Sequence, residues 1–166
     1  DSQEVIAAAL KYQGYSANNN NDQELNQARQ KLLAQKPLLY GYLDSTNTKE
    51  KIITGDVWLA QIYNGDLIKI LAENPELPLE YVIPAEGSLK WTDNLAIPAD
   101  SKNKYTAEVF INFILDAKQS GQNTNYLYYA SPNQSALQYI NKDILNNPAI
   151  YPASSIISNL EILDPS

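Results

Sequence analysis

Apolar and polar positions along the chain alternate between helical and strand-like spacing. Val5-Ile6-Ala7-Ala8-Ala9-Leu10 opens a helix that Gly14 stops. An Asn-rich loop over 17–21 leads to Asp22, read as the N-cap of a second helix that ends at Pro37. That helix carries Leu25, Ala28, Leu32 and Leu33 at helical spacing. Residues 38–43 have the composition of a strand, and a short helix follows over 49–54, closed by Gly55. The run Asp56-Val57-Trp58-Leu59-Ala60-Gln61-Ile62-Tyr63 reads as a buried strand ending at the turn Asn64-Gly65, with Trp58 assigned to packing. A helix resumes over 67–73. Residues 79–83 and 89–97 are further strand candidates on either side of the turn Ala85-Glu86-Gly87. The segment 107–117 is amphipathic, with Val109, Phe110, Phe113 and Ile114 on its apolar side. Short helices over 136–140, 143–145 and 153–159 alternate with loops containing Pro and Asn. No internal repeat is visible, and helices alternating with strands make the class α/β.

Composition narrows the chemistry. A length of 166 residues allows one domain with a real core, or pieces of two lobes. His, Cys and Met are absent, which removes most metal sites, Cys and His nucleophiles and the usual general base near neutral pH. The expectation is therefore a non-enzymatic protein with no cofactor and no metal. A formal charge of −7 disfavours nucleic acid as a partner, since little here would neutralise phosphates. An acidic chain with 12 tyrosines suits a cationic ligand better. No run of about twenty apolar residues is present to span a membrane, and no signal peptide is visible. The chain opens at Asp1-Ser2-Gln3-Glu4 straight into a helical pattern, which leads us to expect a fragment of a longer protein.

Four segments, taken in order, carry a resemblance. The first is Asp1-Ser2-Gln3-Glu4, opening a helix that runs to Leu10-Lys11-Tyr12-Gln13-Gly14-Tyr15-Ser16. The second runs from Gly55-Asp56-Val57 to Tyr63-Asn64-Gly65. The third, the most specific, is Pro84-Ala85-Glu86-Gly87 followed by Trp91-Thr92-Asp93-Asn94-Leu95-Ala96-Ile97-Pro98. The fourth is Tyr129-Ala130-Ser131-Pro132-Asn133, after the helix bearing Phe110-Ile111-Asn112-Phe113. Together they resemble the polyamine-binding (spermidine/putrescine) members of the bacterial periplasmic-binding-protein superfamily, in their C-terminal half.

The resemblance implies a type II-like two-lobe α/β fold, present only in part. Residues 1–94 would form a second-lobe segment, 95–137 would return to the first lobe, and 138–166 would cross back. It implies a receptor that captures a polyamine in an interlobe cleft and delivers it to the permease subunits of an ABC transporter. The location would be periplasmic or otherwise extracytoplasmic, with membrane contact only through the transporter or an anchor outside this chain. With much of one lobe absent, the helix around Phe110 and Phe113 would expose apolar surface, so either self-association of the chain or cover from an absent part of the parent protein is expected.

A polyamine needs carboxylates to meet its ammonium groups and flat rings to sandwich its methylenes. The matching residues have those types. By resemblance, Asp93 pairs with one ammonium and Asp1 with Glu4 takes another, while Trp91, Tyr63 and Tyr129 supply rings. Asp1 and Glu4 share a helix face, and Trp91 and Asp93 share one if their segment is extended. Each has a plainer reading. Asp1 with Glu4 resembles a capping box, Trp91 can be core, Asp93 can be a turn residue, and most tyrosines are structural. Two departures bear on the choice among amines. Tyr63 stands where the family often has Trp, and Glu161-Ile162-Leu163-Asp164 lacks the Gln often found there. Alternatives are a receptor or sensor module for another small solute, or a hydrolase using a carboxylate pair.

Overall fold

Helix α1 (Ser2–Tyr12) begins where Asp1 caps it: Gln3 N–H donates to Asp1 Oδ1 at 2.9 Å. Glu4 in its first turn and Lys11 in its last both complement the helix dipole. Its inner face meets α2 (Asp22–Gln35) through Ala9, Leu10 and Ala28, with Tyr15, Leu25 and Leu32 packed around them. Leu10 is 1% exposed, and the facing alanines let the two backbones approach closely. The N-cap of α2 is Asn21 rather than Asp22. Its side-chain oxygen accepts from Gln23 N–H and Glu24 N–H, while Asp22 already belongs to the helix. Pro37 falls in a 3-10 turn, Lys36–Leu38, that follows α2 directly. Helix α3 (Ser45–Ile53) starts earlier than its apolar positions indicate, because Asp44 caps it through Asn47 N–H at 2.9 Å.

The computed structural model describes residues 1–164 in two units. The first contains Asp1–Tyr63, Glu76–Trp91 and the chain from Pro152 onward; the second contains Asn64–Pro75 and Thr92–Tyr151. The divisions expected from the resemblance lay near 94 and 137.

Strands are where expectation and structure part. Among the described residues the only ladder joins β1 (Ser88–Leu89) in parallel to β2 (Leu160–Glu161), with Ser88 opposite Leu160. The runs 38–43, 56–63 and 79–83 are not strands, and 89–97 leaves the ladder after Leu89. A strand exists only where a neighbour takes its N–H and C=O groups, and these runs have no such neighbour among the described residues. Trp58 is accordingly 94% exposed and Leu59 93%, so Trp58 does not pack in a core here.

In the second unit, α4 (Asn64–Glu73) starts at Asn64-Gly65, so that dipeptide forms its first turn and not a separate turn before it. Helices α5 (Lys104–Leu115) and α6 (Ala117–Leu127) follow, then a 3-10 helix, Gln134–Tyr139, and α7 (Lys142–Leu145). Ile140, Ile144 and Ile150 form the unit's core, with Ile68, Leu137, Tyr128 and Tyr151 around them. The sequence pattern does not predict α6, whose composition is mostly polar. Its order comes from Asp116, which caps it through Lys118 and Gln119 N–H, and from Asn125. Asn125 donates to Tyr139 O at 2.9 Å and accepts from Asn141 N–H at 2.8 Å. Helix α5 buries no residue completely, and Phe110 remains 55% exposed. Helix α8 (Ser154–Ile157) leads into β2 in the first unit.

Candidate functional site

Three of the sequence-predicted residues meet in the first unit. The Tyr63 hydroxyl donates to Glu4 Oε1 at 3.1 Å, with Oε2 at 3.4 Å. The Tyr63 ring stands edge-to-face against Trp91, centroids 5.2 Å apart and planes at 76°. That geometry sets the positive ring edge against the negative face of its neighbour and contributes about 0.5–1.5 kcal/mol beyond area burial. Glu4 is half-buried, and half of the Trp91 surface stays accessible. The result is a carboxylate held by a phenol whose ring in turn meets a half-exposed indole, a ring type that can attract a cation.

Local structure explains why these residues converge. Glu4 projects from the first turn of α1, which Asp1 anchors. Tyr63 ends the irregular run before α4, and Trp91 comes two residues after β1. A third group, Glu161 on β2, ties α1 to β1. Its carboxylate accepts from Lys11 Nζ at 2.5 Å, from Ser16 Oγ at 2.5 Å and from Ala17 N–H at 3.0 Å. Its own carbonyl accepts from Lys90 N–H at 2.9 Å. The hydrogen bond from Lys11, then that from Ser16, holds the Glu161 carboxyl below the usual carboxylate range. Asn18 extends the seam, donating to Ile162 O and accepting from Asp164 N–H, both at 2.8 Å. Gly87 completes it: with φ +97, a Cβ there would lie 2.5 Å from Asn159 O and 2.9 Å from Lys11 Cε. Sequence reading singled out this place only for lacking Gln. The structure gives Glu161 a positioning role, and no motif announces that role because its partners lie about 145 residues away.

The remaining expected residues are placed differently. The Asp1 side chain caps α1, as its plainer reading had it. Asp93 belongs to the second unit and is exposed in an irregular stretch, where Asn94 Nδ2 donates to Thr92 O at 2.8 Å. With no strand beyond Leu89, alternation of faces no longer pairs Trp91 with Asp93. Tyr129 is also in the second unit, half-buried, directly after Tyr128. Tyr128 closes α6 in the left-handed region, φ 63 and ψ 20, at a cost of roughly 1–2 kcal/mol. A groove of about 370 Å³ in the first unit is lined by Ile6, Leu25, Leu32 and Leu33 with Arg29 and Lys36. It is apolar, has cations and no carboxylate, and does not include the Glu4 cluster. Among the described residues no group of three or more acidic side chains could hold a metal ion, and no helix is long and apolar enough to cross a membrane.

Glu4, Tyr63 and Trp91 thus bring a carboxylate, a phenol and an indole together in the first unit. The chain belongs to the family of bacterial extracellular solute-binding proteins, whose pattern residues 1–153 match. It is 32% identical over 167 aligned positions to the putrescine/cadaverine-binding protein of Pseudomonas aeruginosa, covering 98% of this chain and 47% of that protein. It is 34% identical to spermidine/putrescine-binding periplasmic protein 1 of Haemophilus influenzae, covering 96% of this chain and 43% of the relative. The solved spermidine/putrescine ABC transporter substrate-binding protein of Streptococcus pneumoniae superposes with a TM-score of 0.85 at 30% identity. That likeness covers all of this chain and 50% of the other. The chain thus spans about half the length of the curated relatives it matches. It carries the family's two-lobe α/β fold in part, and its strands are sparser than the sequence pattern predicts.

Proposed function

We propose that this chain is part of a receptor that captures a polyamine, spermidine or putrescine, and delivers it to an ABC transporter. The observation that carries this is the Glu4–Tyr63–Trp91 cluster, in which a half-buried carboxylate stands beside an aromatic pair. An ammonium group satisfies both: it donates to the carboxylate and is attracted by the ring face, while its methylenes lie on apolar surface. The names of the relatives support the same ligand class. We assign Asp1, Asp93 and Tyr129 as further ligand contacts. Capture requires no bond to be made or broken, so the protein is not an enzyme. Its transporter partners are the permease subunits, and its location is extracytoplasmic.

Calorimetric titration of spermidine into the complete protein, with arginine and a neutral sugar as controls, tests this. Micromolar or tighter binding of spermidine with no heat from the sugar is the expected result. Absence of heat with both spermidine and putrescine defeats the assignment.

The 166-residue chain by itself is expected to self-associate through α5. Val109, Phe110 and Phe113 stand about half exposed along that helix, a contiguous apolar face of the kind that drives association. Sedimentation velocity should show a concentration-dependent shift that Phe110→Asp abolishes. A monomer at every concentration would sink the idea.

A further inference from the structure

Gly65 has no side chain, yet its place in α4 is bound to one. A Cβ there would lie 2.5 Å from Cδ2 and Cε2 of Tyr129 and 2.6 Å from its Cζ. Carbon atoms approach no closer than about 3.5 Å at their optimum, so the ring occupies the space a side chain would need. Tyr129 therefore lies against the bare backbone of the first turn of α4.

Three neighbouring features restrict how far that arrangement can give. Asn64 Nδ2 donates to Ala149 O at 2.8 Å, which fixes the start of α4 on the 147–150 turn. Lys69, one turn further along α4, places its ammonium 4.4 Å from the centroid of the Tyr126 ring on α6. Tyr128 packs its own ring with the Ile140–Ile144–Ile150 core, while its left-handed backbone turns the chain into Tyr129. Gly65 itself is buried and is not among the glycines with positive φ. Backbone conformation alone would thus admit Ala; the three atoms a Cβ would meet first all belong to the Tyr129 ring.

We propose that Gly65 is a positioning residue of the amine site, setting where the Tyr129 ring stands. This rests on the polyamine assignment above, in which Tyr129 contacts the ligand. A ring attracts a cation only within about 6 Å of its centroid, so a displacement of an ångström or two changes what it can hold. Any side chain at position 65 forces such a displacement.

The sign of one substitution separates crowding from ordinary helix propensity. Ala is the better helix former, so an uncrowded Gly65→Ala would raise the melting temperature. The test compares the wild type, Gly65→Ala, Tyr129→Ala and the double variant of the complete protein, melted without ligand and titrated with spermidine. Gly65→Ala is expected to melt lower than the wild type and to lose at least threefold in affinity. On the Tyr129→Ala background the same change should melt no lower and leave affinity at the single-variant value. Equal losses on both backgrounds, or an unchanged affinity with Tyr129 present, overturn the proposal. If Gly65→Ala fails to fold, recovery of folded protein in the double variant supports it and failure of both overturns it. A wild type that binds no polyamine defeats the ligand assignment and the role with it, while the melting temperatures still read the packing.

Discussion

Glu4→Gln is expected to lower spermidine affinity by at least tenfold and to leave the melting temperature nearly unchanged. The substitution keeps shape and an acceptor oxygen, so the Tyr63 hydroxyl, 3.1 Å from Glu4 Oε1, retains a partner. What disappears is the negative charge. Leaving a bound ammonium without its counter-charge costs about 2–5 kcal/mol, and each 1.4 kcal/mol is a factor of about ten in affinity. The lower figure already corresponds to roughly thirtyfold. Asp93→Asn should likewise weaken binding at least tenfold, although Asp93 is exposed and its desolvation on binding is correspondingly smaller. Titration calorimetry reads both variants, and differential scanning calorimetry checks that folding is intact. Unchanged affinity in either variant would remove that residue from the site. A large fall in melting temperature for Glu4→Gln would show instead that the carboxylate is structural.

Glu161→Gln acts on stability. The substitution removes the charge that Lys11, Ser16 and the Ala17 amide share, across a seam joining α1 to the β1–β2 ladder. Hydrogen bonds to charged groups contribute about 1.5–3 kcal/mol, and for a chain of this length each kcal/mol shifts the melting temperature by about 2–4 °C. The pH dependence has a definite sign. The Glu161 carboxyl is held below its ordinary value by Lys11 and Ser16, so the folded state releases its proton at lower pH than the unfolded chain does. Its contribution is complete above the unfolded pKa, about 4.3, and is lost as pH falls through the folded value. Asp44 and Asp56 are also lowered, by Asn47 and Lys51 respectively. Both persist in the variant, so the difference between the two stability curves isolates Glu161. That difference should be widest near pH 7 and should shrink below about pH 4. A difference independent of pH would mean that the carboxylate charge does not hold the seam.

Trp91 and Asp93 mark the limit of what local pattern dictates. Both residues are of the right type for an amine ligand, and a period of two would point them the same way. That period requires a strand, and the ladder ends at Leu89 because β2 supplies only Leu160 and Glu161 as partners. A missing partner likewise leaves the expected strands over 38–43 and 56–63 unformed and Trp58 exposed. Strand patterns report what a segment can do when paired; they carry no information on whether a partner is present.

Helices were legible because their determinants are local. Asp1, Asn21, Asp44 and Asp116 each cap a helix through amides two or three residues away. The cap of α2 is Asn21 where Asp22 is expected, α3 and α4 begin at Ser45 and Asn64, ahead of their expected starts, and α6 goes unpredicted because its order rests on Asn125 reaching Tyr139 and Asn141.

By itself, then, the sequence determined most of the helices, the acidic and tyrosine-rich character of the chain, and the absence of His and Cys. These follow from residue type and near-neighbour spacing. Only the tertiary structure decided that Glu4, Tyr63 and Trp91 meet, that Glu161 is engaged with Lys11, and that Gly65 makes room for Tyr129. Each of those contacts joins positions dozens of residues apart. Distance along the chain says nothing about such a pair until packing closes the loop between them.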